Sequence, residues 1–219
     1  MKPCAFSFFS VFLFLFLLPG CGRIIDWGVE NVDQGTNLCP NLCEARNQIR
    51  SSRIYDQFTL VGMFDSLWLN DLVREVYADL YALKHGRTEE EKKIFLRRQL
   101  EENNHFISFY VLSASEFVLG EVDSEWTLLL NIKDYYFVPT ELKVVELVPE
   151  YEAIFGKKFN KFKTVYILRF NAKDIEDAPL IQPDTDSVNL VFRSVKKETV
   201  HAWCSYPERV VECPGEVVA

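Results

Sequence analysis

Phe106-Ile-Ser-Phe-Tyr-Val-Leu-Ser113 is where the chain changes its period. Upstream, apolar residues recur every three or four positions; from here onward they tend to recur every two, the spacing of a strand with one face buried. The stretch itself is apolar at both parities, so it reads as a strand covered on both faces. Downstream, Trp126, Leu128, Leu130 and Ile132 alternate with more polar neighbours. Tyr166, Leu168 and Phe170 share a face, as do Val188, Leu190 and Phe192. Residues 142–148 read as a further strand with a short helix-like piece at 149–155. Lys196-Lys197-Glu198 reads as a turn into a last strand over 200–204.

Working back from Phe106, two helices are expected. Trp68, Leu69, Leu72, Val73, Val76, Tyr77, Leu80 and Tyr81 fall on one face, with Asp65 or Ser66 as the expected N-cap. Gly86 follows His85 as a left-handed stop. Thr88-Glu-Glu-Glu91 has the form of a capping box and opens a charged helix reaching about Glu102, with Ile94, Phe95 and Leu100 as a thin apolar stripe. Residues 54–61 read as a short strand, and the folded region is expected to begin near Ser52. The strands are irregularly spaced with few helices between them, which argues against parallel crossover units. The expected class is α+β: two N-terminal helices packed on an antiparallel β-sheet or sandwich. The C-terminal half has the strand rhythm of an immunoglobulin-like sandwich without its Cys-Trp-Cys hallmark.

The N-terminus carries a different signal. Residues 5–18, AFSFFSVFLFLFLL, contain no charge and are too short to span a bilayer as a helix, which takes about 20 residues. That length suits the apolar core of a signal peptide, with Lys2 and the amino terminus as its positive end. The segment ends at Leu18-Pro19-Gly20-Cys21. These four residues resemble the lipobox of bacterial lipoproteins, in which a Leu, two small residues and a Cys end the apolar core. The resemblance covers about the first 22 residues. It implies cleavage before Cys21, diacylglycerol on its sulfur and an acylated new amino terminus. Leu18 takes the −3 place and Gly20 the −1 place, while Pro19 departs from the usual Ala or Ser at −2. Gly22 rather than Asp after the Cys implies sorting to the outer membrane in diderm bacteria. Two or more acyl chains anchor a protein stably, so no hydrophobic helix is needed. Plain secretion, with Cys21 in a disulfide, is the alternative. The expected organisation is a signal peptide at 1–20, a lipid-anchored tether at 21–50, one α+β domain at 51–206 and a tail at 207–219.

If Cys21 is lipidated and Cys4 leaves with the signal peptide, Cys39, Cys43, Cys204 and Cys213 remain. In an oxidising compartment that even number favours two disulfides, with three connectivities open. Cys39-Pro-Asn-Leu-Cys43 has three residues between its sulfurs, so it is not a Cys-x-x-Cys redox motif, and no nearby His completes a zinc site.

The search for chemistry returns little. His85, His105 and His201 are far apart in sequence, and no pair has metal-ligand spacing. Gly156-Lys157-Lys158 lacks the glycine loop of a phosphate-binding motif. Serines have no evident base beside them, and Glu89-Glu90-Glu91 and Glu101-Glu102 suit a solvated helix surface. Neither a metal nor a cofactor is expected. The formal charge of −8 argues against nucleic acid and anionic headgroups as partners. One stretch suits a contact surface: Asp134-Tyr-Tyr-Phe-Val-Pro139 places Tyr135, Tyr136 and Phe137 in an expected connection between strands, where exposed aromatics suit a partner. The opposing reading extends the strand and sends these rings into the core. The expectation is therefore a non-enzymatic binding or structural module of the bacterial envelope, anchored by its lipid and contacting an envelope protein. A periplasmic or surface-exposed hydrolase is the alternative, which needs a pocket where His105, His201 or two carboxylates meet.

Overall fold

The computed structural model describes residues 41–121, 123–174 and 176–205. Two antiparallel sheets and four α-helices are present among them, so the class is α+β. In chain order the elements are α1 (Leu42–Arg46), β1 (Ile49–Asp56), β2 (Thr59–Trp68), α2 (Asp71–His85), α3 (Glu89–Asn103), β3 (Phe106–Ala114), β4 (Thr127–Ile132), β5 (Tyr135–Phe137), β6 (Glu141–Val144), α4 (Pro149–Phe155), β7 (Lys163–Asn171), β8 (Ser187–Arg193) and β9 (Glu198–Cys204). The first sheet runs β1-β2-β3-β7-β6 and the second β5-β4-β8-β9, with every pairing antiparallel.

Alternation along the strands decides what each face meets. Phe64, Phe109, Val111, Tyr166, Leu168 and Phe170 point from the first sheet into one core, where they meet Leu128, Leu130, Val188, Leu190, Phe192 and Trp203 of the second. Phe64 stacks on Phe192, their ring centroids 4.5 Å apart. Gly62 admits a close approach here: a Cβ at this position would lie 2.9 Å from Trp126 Cζ2. The opposite face of the first sheet carries helices. Tyr110 meets Tyr151 of α4 edge to face, Tyr151 stacks on Tyr77 of α2, and Arg169 pairs with Glu102 of α3. The immunoglobulin-like expectation for the C-terminal half is thus corrected. β6 and β7 pair into the first sheet beside β3, so the sandwich draws strands from both halves of the chain.

Several boundaries also move. The long helix begins at Asp71, capped by Asn70, whose side chain accepts from Val73 N–H, and not at Asp65 or Ser66. Asp65 to Trp68 belong to β2, which pairs with β1 on one side and β3 on the other. Residues 54–61 are not one strand: Gln57 takes a positive φ of 56° and turns β1 into β2 as a hairpin. The fold also begins ahead of Ser52. Residues 41–50, read as tether, form α1 and the start of β1, with Leu42, Ala45 and Ile49 buried. Of 142–148, the strand β6 covers only 141–144 before Val148 precedes α4. The stop at Gly86 (φ 58°) and the Thr88–Glu91 capping box form as the sequence predicts. No residue of α3 is buried and Ile94 is exposed; Phe95 instead stacks on Tyr81.

Candidate functional site

Two places combine exposure with organised chemistry. The first is a cleft of about 570 Å³ lined by Ser51, Arg53, Asp65, Lys157, Lys158 and Lys163, among others. Cross-strand register builds its floor. Ser51 on β1 sits directly opposite Asp65 on β2, so their side chains project from the same face. Ser51 Oγ donates to Asp65 Oδ1 at 2.5 Å. Lys163, the first residue of β7, donates to Asp65 Oδ2 at 2.5 Å and to the Lys158 carbonyl at 2.8 Å. A 3₁₀ turn, Gly156–Lys158, follows α4 and brings Lys157 and Lys158 to the rim, where Lys158 Nζ donates to Ser51 Oγ. The Asp65–Lys163 pair is nearly buried, while Arg53, Lys157 and Lys158 are exposed.

Lys158, Ser51 and Asp65 therefore form one chain of hydrogen bonds, ammonium to hydroxyl to carboxylate. A lysine becomes a useful base when burial strips water from its ammonium. Lys158 is exposed, and the Ser51 proton is already committed to Asp65, so the arrangement suits binding better than proton abstraction. One carboxylate among four cations is also not the acid pair of a glycosidase. Nothing in the spacing of Ser51, Asp65, Lys158 and Lys163 marks them as neighbours. The only local signal was the adjacent Lys157-Lys158, set aside because no glycine loop precedes it. Their approach depends on strand register and on the α4 turn.

Behind this floor lies His201. Residues 65 and 66 face opposite sides of β2, so Asp65 opens to the cleft while Ser66 turns into the core. Ser66 Oγ and His201 Nδ1 share a hydrogen bond of 2.9 Å, and Nε2 has no partner among the described residues. Burial pushes the His201 imidazole down to about 3; the negative charge of Asp65 opposes the shift, and Arg50 and Lys158 add to it. The other two histidines lie elsewhere. His85 ends α2 beside Glu150, with Nε2 3.7 Å from its carboxylate, and His105 is exposed just before β3.

The second place is the edge strand β5. Lys133 and Asp134 both take positive φ, 49° and 67°, giving a two-residue hairpin turn that joins β4 to β5. The aromatic segment is therefore a strand rather than a connection. Phe137 packs half-buried against the core, whereas Tyr135 and Tyr136 are 71% and 53% exposed and Val138 is 71% exposed. The Arg193 guanidinium lies 5.3 Å over the Tyr136 ring.

Cys21, Cys39 and Cys213 lie outside the described residues. Cys43 is exposed and free. α1 packs through Leu42 and Ala45, which turns Cys43 outward. Cys204, at the end of β9, is disulfide-bonded. Among the described residues no helix is long and apolar enough to cross a membrane, and no group of three His, Cys, Asp or Glu residues could hold a metal. No family model, no curated protein and no solved structure matches this chain.

Proposed function

We propose that this chain is a bacterial envelope lipoprotein, anchored through lipid on Cys21, that works as a non-enzymatic binding module and contacts a protein partner through β5. The exposure of Tyr135 and Tyr136 on an edge strand carries this reading. An edge strand leaves backbone groups open to a further strand, and proteins usually blunt such edges with charge or bulges. β5 is short, at three residues, which limits its open backbone, yet it carries two exposed tyrosines and, next to it, exposed Val138. Tyrosine offers a large contact area at low entropic cost, and Arg193 over Tyr136 restrains one ring in advance. Addition of a partner strand along β5 is the recognition mode this edge suits.

The hydrolase reading lacks comparable support. His201 sits between the sheets, His85 faces Glu150, the Ser51–Asp65 cleft holds one carboxylate, and the open grooves that hold two, Asp71 with Glu101 and Asp56 with Glu125, have no histidine on their lining.

A photo-crosslinking residue in place of Tyr136, in cells, tests the contact. A discrete adduct at this position, reduced by Tyr135→Ala and absent when the probe replaces exposed Phe58, is expected. Equal adducts at both positions, or none at Tyr136, would remove the proposal. Anchoring is tested separately by metabolic labelling with a fatty acid. The wild type should incorporate label and Cys21→Ala should not; equal labelling, or none in either, would sink the lipoprotein assignment.

A further inference from the structure

The cleft concentrates positive charge on an acidic protein. The chain carries 32 acidic against 24 basic residues, yet four cations and one carboxylate line this space. Elsewhere most lysines sit against acids, such as Lys92 on Asp79 and Glu89, Lys133 on Asp184, Lys143 on Glu141 and Lys173 on Asp177, and those that do not are not gathered around one space. In the cleft, Asp65 is already taken by Lys163 and Ser51, and Lys158 has only a neutral hydroxyl. Arg53 and Lys157 have no ion-pair partner among the described residues. Like charges gathered around one space repel each other, and an anion between them relieves that repulsion.

We infer that this cleft binds a phosphate group carried on a small molecule, either a soluble phosphate ester or a lipid headgroup. Charge favours phosphate over a carboxylate. A phosphate monoester carries about −1.5 to −2 at neutral pH and presents three acceptor oxygens. Beyond the cation that Asp65 neutralises, three remain to meet it: Lys157 and Lys158 as compact point charges and Arg53 as a planar fork. Asn160, also on the lining, adds an amide donor for an ester's neutral part. At about 570 Å³ the space exceeds what an inorganic ion fills and falls within the range of small-molecule sites. No glycine loop is involved; the donors are side chains from β1, β7 and the turn after α4. This site is independent of the β5 edge.

Titration calorimetry of the purified full-length protein at low salt tests the inference. The probes are inorganic phosphate, glucose 6-phosphate, glucose and a short-chain phosphatidic acid below its micelle concentration. Phosphate-bearing probes should bind and glucose should not. Tighter binding of glucose 6-phosphate identifies a soluble ester as the source, and tighter binding of phosphatidic acid identifies a headgroup. The double variant Lys157→Gln/Lys158→Gln leaves the Asp65–Lys163 pair intact and should weaken binding at least about tenfold. Lys173→Gln, a surface control away from the cleft, should leave it unchanged. No heat with any phosphate probe at millimolar concentration would overturn the inference. So would a double variant that melts like the wild type and binds as tightly.

Discussion

Acidification from pH 7.5 to 4.5 should remove about 3 kcal/mol of stability through His201 alone. The ring is 2% exposed, lies 5.0 Å from the Phe192 centroid, and leaves Nε2 without a partner among the described residues. Taking a proton there would place a charge among aromatic rings, so burial lowers the folded-state value to about 3 from the ordinary 6.5. The unfolded chain binds that proton more readily than the folded one. The stabilisation is therefore complete above about pH 6.5, falls by about 1.4 kcal/mol per pH unit below it, and levels off once the folded ring also titrates. About two units of that decline lie between pH 6.5 and 4.5.

Urea unfolding at the two pH values is the assay, and a loss of about 3 kcal/mol moves the midpoint by about 1–2 M. Carboxylates titrate in this range as well, so a variant must isolate the histidine. His201→Phe alone would strand the Ser66 hydroxyl in the core. The double variant His201→Phe/Ser66→Ala removes both partners, a change that costs far less than orphaning one. It should keep its midpoint between pH 7.5 and 4.5, apart from the carboxylate contribution common to both proteins. If wild type and double variant lose the same midpoint, the histidine is not buried neutral and the account of this core is wrong.

Two other expectations concern packing and thiols. Leu190→Ala, at a fully buried site between the sheets, should cost about 3 kcal/mol by leaving a cavity, measured as the drop in unfolding free energy at pH 7.5; a loss below about 1 kcal/mol would contradict the two-sheet core. Iodoacetamide should alkylate Cys43 in the native protein without reductant and Cys204 only after reduction, read by peptide mass mapping; the reverse pattern would place the pairing wrongly.

How much of this was legible in the sequence depended on whether the signal was local. Gly86 and the Thr88–Glu91 box are written in adjacent residues and form as read. The strands around Phe109, Leu130, Leu168 and Leu190 were legible because one-sided burial imposes period two. Asp65 to Trp68 were misread because Trp68 and Leu69 happen to continue the helical spacing of Leu72 and Val73. β2 is covered on both faces there, so Phe64 to Trp68 are all buried, polar Asp65 and Ser66 included, and the stretch loses its alternation. The turn at Gln57 was missed because its two central residues, Gln57 and Phe58, are none of Gly, Asn, Asp or Pro, the residues that normally announce a positive φ. The pairing of β7 with β3, 50-odd residues apart, has no local mark at all, and it is what separates this sandwich from an immunoglobulin-like one.

The cleft was illegible for a related reason, and its charge shows why bulk composition misleads about sites. A net charge of −8 argues against large polyanions and extended anionic membrane surfaces, because either one faces the whole acidic surface at once. A small phosphate ester samples only its immediate surroundings, since charges beyond about 8 Å are screened at physiological ionic strength. Along the lining of the cleft Lys157, Lys158, Lys163 and Arg53 outweigh Asp65. The same protein can thus repel a polymer of phosphates and hold a single one. Salt should separate the two effects. Raising ionic strength from low to physiological should weaken phosphate binding in the cleft, because its rim cations are exposed. If affinity instead rose with salt, the field of the whole acidic surface would dominate the cleft, and the local charge count would be the wrong quantity to reason from.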